Sequence, residues 1–193
     1  FYIPGEGLTN EYQFNLIDFG SKTASKKQCP SEWIKHRDDL VIGGSETKIM
    51  ENVKYFQEGN IYVNDQAKLI IRNSQLMMGR GAVPTVHVYI FVAPTASLEI
   101  ASSRIFPNTG LVCVMNRGKV SITDSPTSIH YFDMSEGAQL TMINSEMVFR
   151  IGGLLQVTGG HTTLINSTIG ALGLRVPAYG HLNISGLKSG AYF

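Results

Sequence analysis

The chain has little charge, few cysteines and no long apolar run, and each shortage removes a class of protein. Only 16% of its 193 residues are charged, and 16 Lys and Arg against 15 Asp and Glu leave a net charge of +1. With no basic run in any segment, there is no field to gather nucleic acid or an anionic lipid surface. The longest apolar stretches, such as Val86 to Ala93 interrupted by His87, fall well short of the roughly eighteen residues that span a bilayer as a helix, so no membrane insertion is expected. The two cysteines, Cys29 and Cys113, lie too far apart for a metal or redox motif, and neither has the neighbours of a catalytic thiol pair. Either they form a disulfide that closes a long loop or they stay as two free thiols. Alternation around Val112 and Val114 directs Cys113 outward.

What is present is apolar residue in quantity, 43% of the chain, enough for one continuous core in a single domain. Twenty Gly with abundant Ser, Thr and Asn match the composition of secreted or surface-displayed β proteins, so an extracellular or cell-surface location is expected. The first residue is Phe1 rather than Met, as in a mature product or a fragment of something longer.

A repeat runs through most of the chain. A small residue opens each of the segments starting at Ala67, Ala96, Gly118, Ala138, Gly160 and Gly180, which are separated by 29, 22, 20, 22 and 20 residues. Two and four residues later stand Leu69/Ile71, Leu98/Ile100, Val120/Ile122, Leu140/Met142, Thr162/Leu164 and Leu182/Ile184, the alternation of a half-buried strand. Seven residues after the small one comes Ser74, Ser103, Ser125, Ser145 or Ser167, a column that breaks at Leu187. Just before that column, Asn73, Ser102, Asp124, Asn144 and Asn166 are expected to bond side chain to backbone at a corner, and the serine next to each to do the same inside the coil.

A second strand precedes each small residue, with apolar pairs six and four positions earlier at Ile61/Val63, Ile90/Val92, Val112/Val114, Phe132/Met134 and Leu174/Val176. In the fifth repeat Leu155/Val157 has better strand character than the expected Leu154/Gln156, which implies a one-residue slip or bulge. The longest gap holds Gly79-Arg80-Gly81-Ala82-Val83-Pro84, read as an extruded turn. No Asn-Gly or Asp-Gly joins these strands, so hairpins are disfavoured and the strands are expected to coil, stacking about 4.8 Å apart as neighbours in parallel sheets. The expected fold is all-β, a right-handed parallel β-helix of about six to seven coils over residues 59–193. Residues 1–58 are expected to form an irregular capping or side-packing segment. Within it, Leu40-Val41-Ile42-Gly43-Gly44, Ile49 and Val53 suggest a degenerate first coil, and alternating Tyr12, Phe14 and Leu16 a covering strand.

The strings Gly59-Asn60-Ile61-Tyr62-Val63-Asn64-Asp65-Gln66-Ala67-Lys68-Leu69-Ile70-Ile71-Arg72-Asn73-Ser74 and Ala138-Gln139-Leu140-Thr141-Met142-Ile143-Asn144-Ser145 resemble coils of the right-handed parallel β-helix proteins of the pectin-lyase-like superfamily. The resemblance covers Gly59 to about Ser189. It implies a secreted or surface solenoid and leaves the activity open, because that fold hosts many functions.

No constellation of residues specifies a reaction. Two-carboxylate sugar chemistry requires acids about 5 to 9.5 Å apart, on adjacent or next-adjacent coils. The spacing instead gives Asp133 the neighbours Cys113 and Leu155, Asp124 the neighbours Ser102 and Asn144, and Glu99 the followers Ser121 and Thr141. His161 and His181 should project side by side from consecutive coils, but two imidazoles fall short of the three or four ligands of a zinc site. No metal or cofactor is therefore expected. Outward apolar residues, Tyr62 and Phe91 in one column and Ile143 and Ile165 in another, mark an interaction surface for a protein or a glycan, or a stripe covered by the first 58 residues. Asn166-Ser167-Thr168 and Asn183-Ile184-Ser185 fit the glycosylation sequon; Asn166 is expected to point inward and Asn183 outward. The carboxyl end, Ala191-Tyr192-Phe193, follows the last coil without a cap and is expected to stack on another molecule or to continue.

The expected function is thus a non-enzymatic extracellular scaffold, adhesin or self-assembling subunit, with self-association or another surface protein as partner. The alternative is a β-helix that binds or degrades polysaccharide.

Overall fold

The alternating runs stack as predicted, each strand lying beside its equivalent in the next coil. The computed structural model describes residues 32–80, 86–108, 110–170, 173–175 and 181–185, with side chains for all of these except 150–152, 173–175 and 181–185. Among the described residues there is no helix, and every strand pairing is parallel. The result is a β-solenoid of about six turns.

Each turn has three strands where the sequence suggested two. The first face contains Leu40–Ile42, Ile61–Val63, His87–Val92 and Leu111–Asn116. The second contains Thr47–Glu51, Lys68–Arg72, Ser97–Ala101, Lys119–Thr123, Gln139–Ile143, His161–Ile165 and His181–Ser185. The third contains Trp33–His36, Lys54–Gln57, Gln75–Met78 and Arg104–Pro107. Two long strands, Pro126–Met134 and Glu146–Val157, bend from the third face into the first, with a register break between Ile129 and Tyr131. The third strand was hidden because its alternation is weak: buried Gln57 and Thr127 occupy inward positions, while Met77 and Phe106 point outward.

Inward side chains form one continuous core. Ile61, Ile90, Val114, Phe132 and Leu155 are in register on the first face, and Leu69, Leu98, Val120 and Leu140 on the second. All are buried, and each contributes roughly 2 kcal/mol by leaving water.

The first coil is real and complete, since Leu40–Ile42 pairs with Ile61–Val63 and Thr47–Glu51 with Lys68–Arg72. Its core residue on the second face is Met50, whereas Ile49 points outward and is 55% exposed. The suggested covering strand at Tyr12, Phe14 and Leu16, and residues 81–85 of the extruded turn, lie outside the described residues.

Between the second and third faces every coil turns through one residue with positive φ: Asn52, Asn73, Ser102, Asp124, Asn144 and Asn166, all between 46° and 56°. Asn, Asp and Ser are there because short polar side chains tolerate this left-handed region. The serine that follows each of them bonds to the backbone inside the coil, as expected. Each buried serine hydroxyl donates to the carbonyl two residues back, as in Ser125 to Thr123 at 2.6 Å and Ser145 to Ile143 at 2.8 Å. Each also accepts the N–H of its equivalent one coil earlier: Val53 to Ser74, Ser74 to Ser103, Ser103 to Ser125, Ser125 to Ser145 and Ser145 to Ser167, at 3.0 to 3.2 Å.

The corner between the first and second faces varies in length, which shifts the predicted register in two coils. In register with Val92 and Met134 stands Asn116, so in the fourth coil the equivalents of Ile90/Val92 are Val114/Asn116 rather than Val112/Val114, although Val112, beside Val88, is inward and buried as well. Asn116 is fully buried; its Oδ1 accepts the Gly118 N–H at 3.0 Å and its Nδ2 donates to the Gln139 carbonyl at 2.9 Å. In the sixth coil, the fifth repeat of the sequence, Leu155 and Val157 are inward, as the slip predicted.

Candidate functional site

Those two shifts determine what stands together on the outer surface of the first face. One outward column reads Val41, Tyr62, Phe91, Met115, Asp133 and Gln156; the column beside it reads Tyr89, Cys113, Tyr131 and Leu154. Asp133 therefore lies between Met115 and Gln156, where the sequence spacing had given Cys113 and Leu155. The cause is the short corner at Asn116 and the slip at Leu155.

Strand stacking turns the aromatic residues of this face into a ladder. Tyr62 and Phe91 are parallel to within 2° with ring centroids 5.0 Å apart, Tyr89 and Phe91 are 5.3 Å apart, and His87 stacks on Tyr89 at 6.1 Å. The Tyr62–Phe91 separation follows from the coil spacing, whereas Tyr89 and His87 continue the row along the same strand as Phe91; such ring pairs add stability beyond area burial. Rings stacked on each other present edges to solvent, because their faces are turned to one another along the ladder. Asn60 fixes the ladder, donating from Nδ2 to the Tyr62 hydroxyl at 3.1 Å and accepting the Tyr89 N–H at 3.0 Å.

Below the ladder the chemistry changes. His130 occupies the corner where the long strand bends, its ring edge-on to His87 at 6.1 Å. Its Nδ1 is buried without a hydrogen-bond partner, and burial, then the nearby His87, lowers its pKa. Three residues on, Asp133 buries Oδ1, also without a partner; burial raises its pKa and Arg117 partly opposes this. Between them the Tyr131 hydroxyl donates to Gln156 Oε1 at 3.0 Å, and Gln156 Nε2 donates to Thr158 Oγ1. Neither His130 nor the orphaned Asp133 oxygen could be foreseen, since burial on this outward face depends on register.

The other sequence-derived positions scatter. Cys113 points outward as expected but is only 2% exposed; it is a free thiol whose pKa burial pushes up to about 11. Cys29 lies outside the described residues. Backbone register places His161 beside His181, and the side chain of His181 is not described. Among the described residues, no group of three or more His, Cys, Asp or Glu could hold a metal ion. Ile143 is half-buried and Ile165 is 37% exposed, neighbours on the second face and far in the coil from Tyr62 and Phe91. Asn166, expected inward, is exposed at its left-handed corner, and the side chain of Asn183 is not described.

In register, Glu99 lies beside Ile70 and Ser121 and is ion-paired with Lys68 and Arg72 at 2.9 and 3.0 Å. Asp124 accepts a bond from Asn144 at 3.2 Å. Neither these acids nor Asp133 has a carboxylate as column neighbour, so the two-carboxylate arrangement for glycoside cleavage is not assembled from them. Comparison with protein-family models, curated proteins and solved structures finds no match to this chain.

Proposed function

We propose that this solenoid is a non-enzymatic extracellular or cell-surface protein, of the pectin-lyase-like kind, that acts as a scaffold, adhesin or self-assembling subunit. The supporting observation is the first coil. Three of the four large apolar side chains that stand exposed among the described residues belong to it: Ile34 at 50%, Val41 at 60% and Ile49 at 55%, one on each face. Exposed apolar side chains clustered at one end of a solenoid, beside strand edges with unpaired backbone groups, favour association with a second copy. Size-exclusion chromatography with light scattering tests this. Oligomers or fibres are expected, reverting toward monomer in the triple variant Ile34→Ser, Val41→Ser, Ile49→Ser; a monodisperse monomer across the concentration range contradicts the reading.

A further inference from the structure

Beyond association at the first coil, we propose that the outer surface of the third face is a docking surface for an acidic segment of a partner protein. The strands Trp33–His36, Lys54–Gln57, Gln75–Met78 and Arg104–Pro107 lie side by side, and their outward side chains mix apolar with basic. Trp33 and Phe106 stand on the outer two of these strands, three strand spacings or about 14 Å apart, yet their rings meet edge-on with centroids 6.2 Å apart. Both side chains therefore lean across the two strands between them. Phe56, outward in the column of Lys35, Met77 and Phe106, is only 9% exposed, as follows for a side chain that they close over. Trp33, Met77 and Phe106 keep part of their own surface in solvent.

The charge around this cluster has one sign. The outward positions of the four strands hold Lys35, Lys54 and Arg104 and no acid. Lys35 and Arg104 are exposed and Lys54 is half-buried, and neither lysine has an ion-pair partner among the described residues. Arg104 also lies over the Phe106 ring, its guanidinium carbon 4.8 Å from the centroid. Three cations on a chain of net charge +1 are too few for a nucleic-acid backbone, but they complement a short run of carboxylates, giving it orientation and a faster encounter. The apolar part fits a polypeptide better than a sugar. Tryptophan, phenylalanine, methionine and arginine are the residues enriched where proteins meet, and the unbranched Met77 adapts to aliphatic side chains. Ring faces that would stack on a sugar are engaged instead, in the edge-on contact of Trp33 with Phe106 and under the Arg104 guanidinium.

Trp33 is the only tryptophan of the chain, so its fluorescence reports on this face alone. The full chain is titrated with a short synthetic peptide of alternating glutamate and leucine, with a lysine–leucine peptide and polygalacturonate as contrasting probes. A saturable change in Trp33 emission is expected with the acidic peptide only. Its Kd should rise about tenfold in the double variant Lys35→Gln, Lys54→Gln, rise with added salt, and stay unchanged in Lys119→Gln on the second face. Because neither lysine is ion-paired among the described residues, the double variant should keep the wild-type urea midpoint, which separates lost docking from lost folding. Light scattering on the same mixtures reads the association at the first coil separately. No saturable change, an equal response to the lysine peptide, or binding that the double variant leaves intact would overturn the docking surface. The same response to polygalacturonate would put an anionic glycan in place of the protein segment and overturn it as well.

Discussion

Two corners of the same coil follow different rules. The turn from the second face to the third is uniform: one left-handed residue, then a buried serine, in every coil from Asn73-Ser74 to Asn166-Ser167. The turn from the first face to the second takes four residues from Val63 to Ala67, Val92 to Ala96 and Met134 to Ala138, two from Asn116 to Gly118, and three from Val157 to Gly160. The long versions close with a backbone bond, as Ala96 N–H to the Ala93 carbonyl at 3.0 Å. The short one has no such carbonyl to use, and the Asn116 side chain takes its place. A uniform corner is held by bonds that run between coils, so each coil constrains the next. The variable corner is tied to its neighbours too, as by Ala93 N–H to the Val63 carbonyl and Asn116 Nδ2 to the Gln139 carbonyl, but each length has its own closing bond within the corner.

The largest effect that would sharpen this contrast is expected at glycine. In the short corner, a Cβ on Gly118 would lie 2.2 Å from the Ala93 carbonyl oxygen and 2.4 Å from that of Ala96, backbone atoms that cannot rotate away. Gly118→Ala should cost about 3 kcal/mol or more. In the long corner of the next coil, Gly137 has φ +78° and open space around it, so Gly137→Ala should cost only the backbone strain, about 1 kcal/mol. Urea unfolding of the two variants measures the difference; equal costs would show that crowding does not define the short corner.

A smaller effect is expected within the uniform corner, where the serine and its left-handed neighbour should separate. Ser125→Ala removes the acceptor of the Ser103 N–H in a buried position and should cost about 2 kcal/mol. Asn144→Gly removes one exposed bond to Asp124 and relieves the left-handed strain, so its effect should stay within about 0.5 kcal/mol. If the asparagine proved the costlier loss, the inter-coil serine bonds would not be what makes this corner uniform.

The same difference explains what could be read from the sequence. The serine column is periodic in composition, so Ser74 through Ser167 marked the coils, and the inward pairs Leu69/Ile71 to Thr162/Leu164 followed from them. Counting back from the small residue failed at Val112/Val114 because a two-residue corner is invisible when asparagine substitutes for an apolar residue at the inward position. The error carried over to the outer surface and gave Asp133 the wrong neighbours. The third face was missed because Gln57 and Thr127 interrupt its alternation, and the orphaned atoms of His130 and Asp133 depend on burial at a bend that no local pattern encodes. The aromatic pair Tyr62 and Phe91 was legible as a column.

The smallest expected effect lies away from both corners and acts as their control. Glu99 crosses the second face between Lys68 and Arg72, and the hydrogen bonds from Lys68 and then Arg72 hold its carboxyl below the usual carboxylate range. A carboxylate whose folded pKa is depressed stabilises the fold above its unfolded pKa and loses that contribution as pH falls through the folded one. Glu99→Gln should thus lower stability at neutral pH by only about 0.5 kcal/mol, since the pair is partly solvated. The gap between the wild type and Glu99→Gln in urea midpoint should close as pH drops below about 4 and narrow in high salt. A gap that persists in acid would mean that the carboxylate charge, and with it the pairs to Lys68 and Arg72, is not what separates the two side chains. The variants of Ser125 and Gly118 should keep their full cost across the same pH range, because their bonds and contacts involve no titrating group.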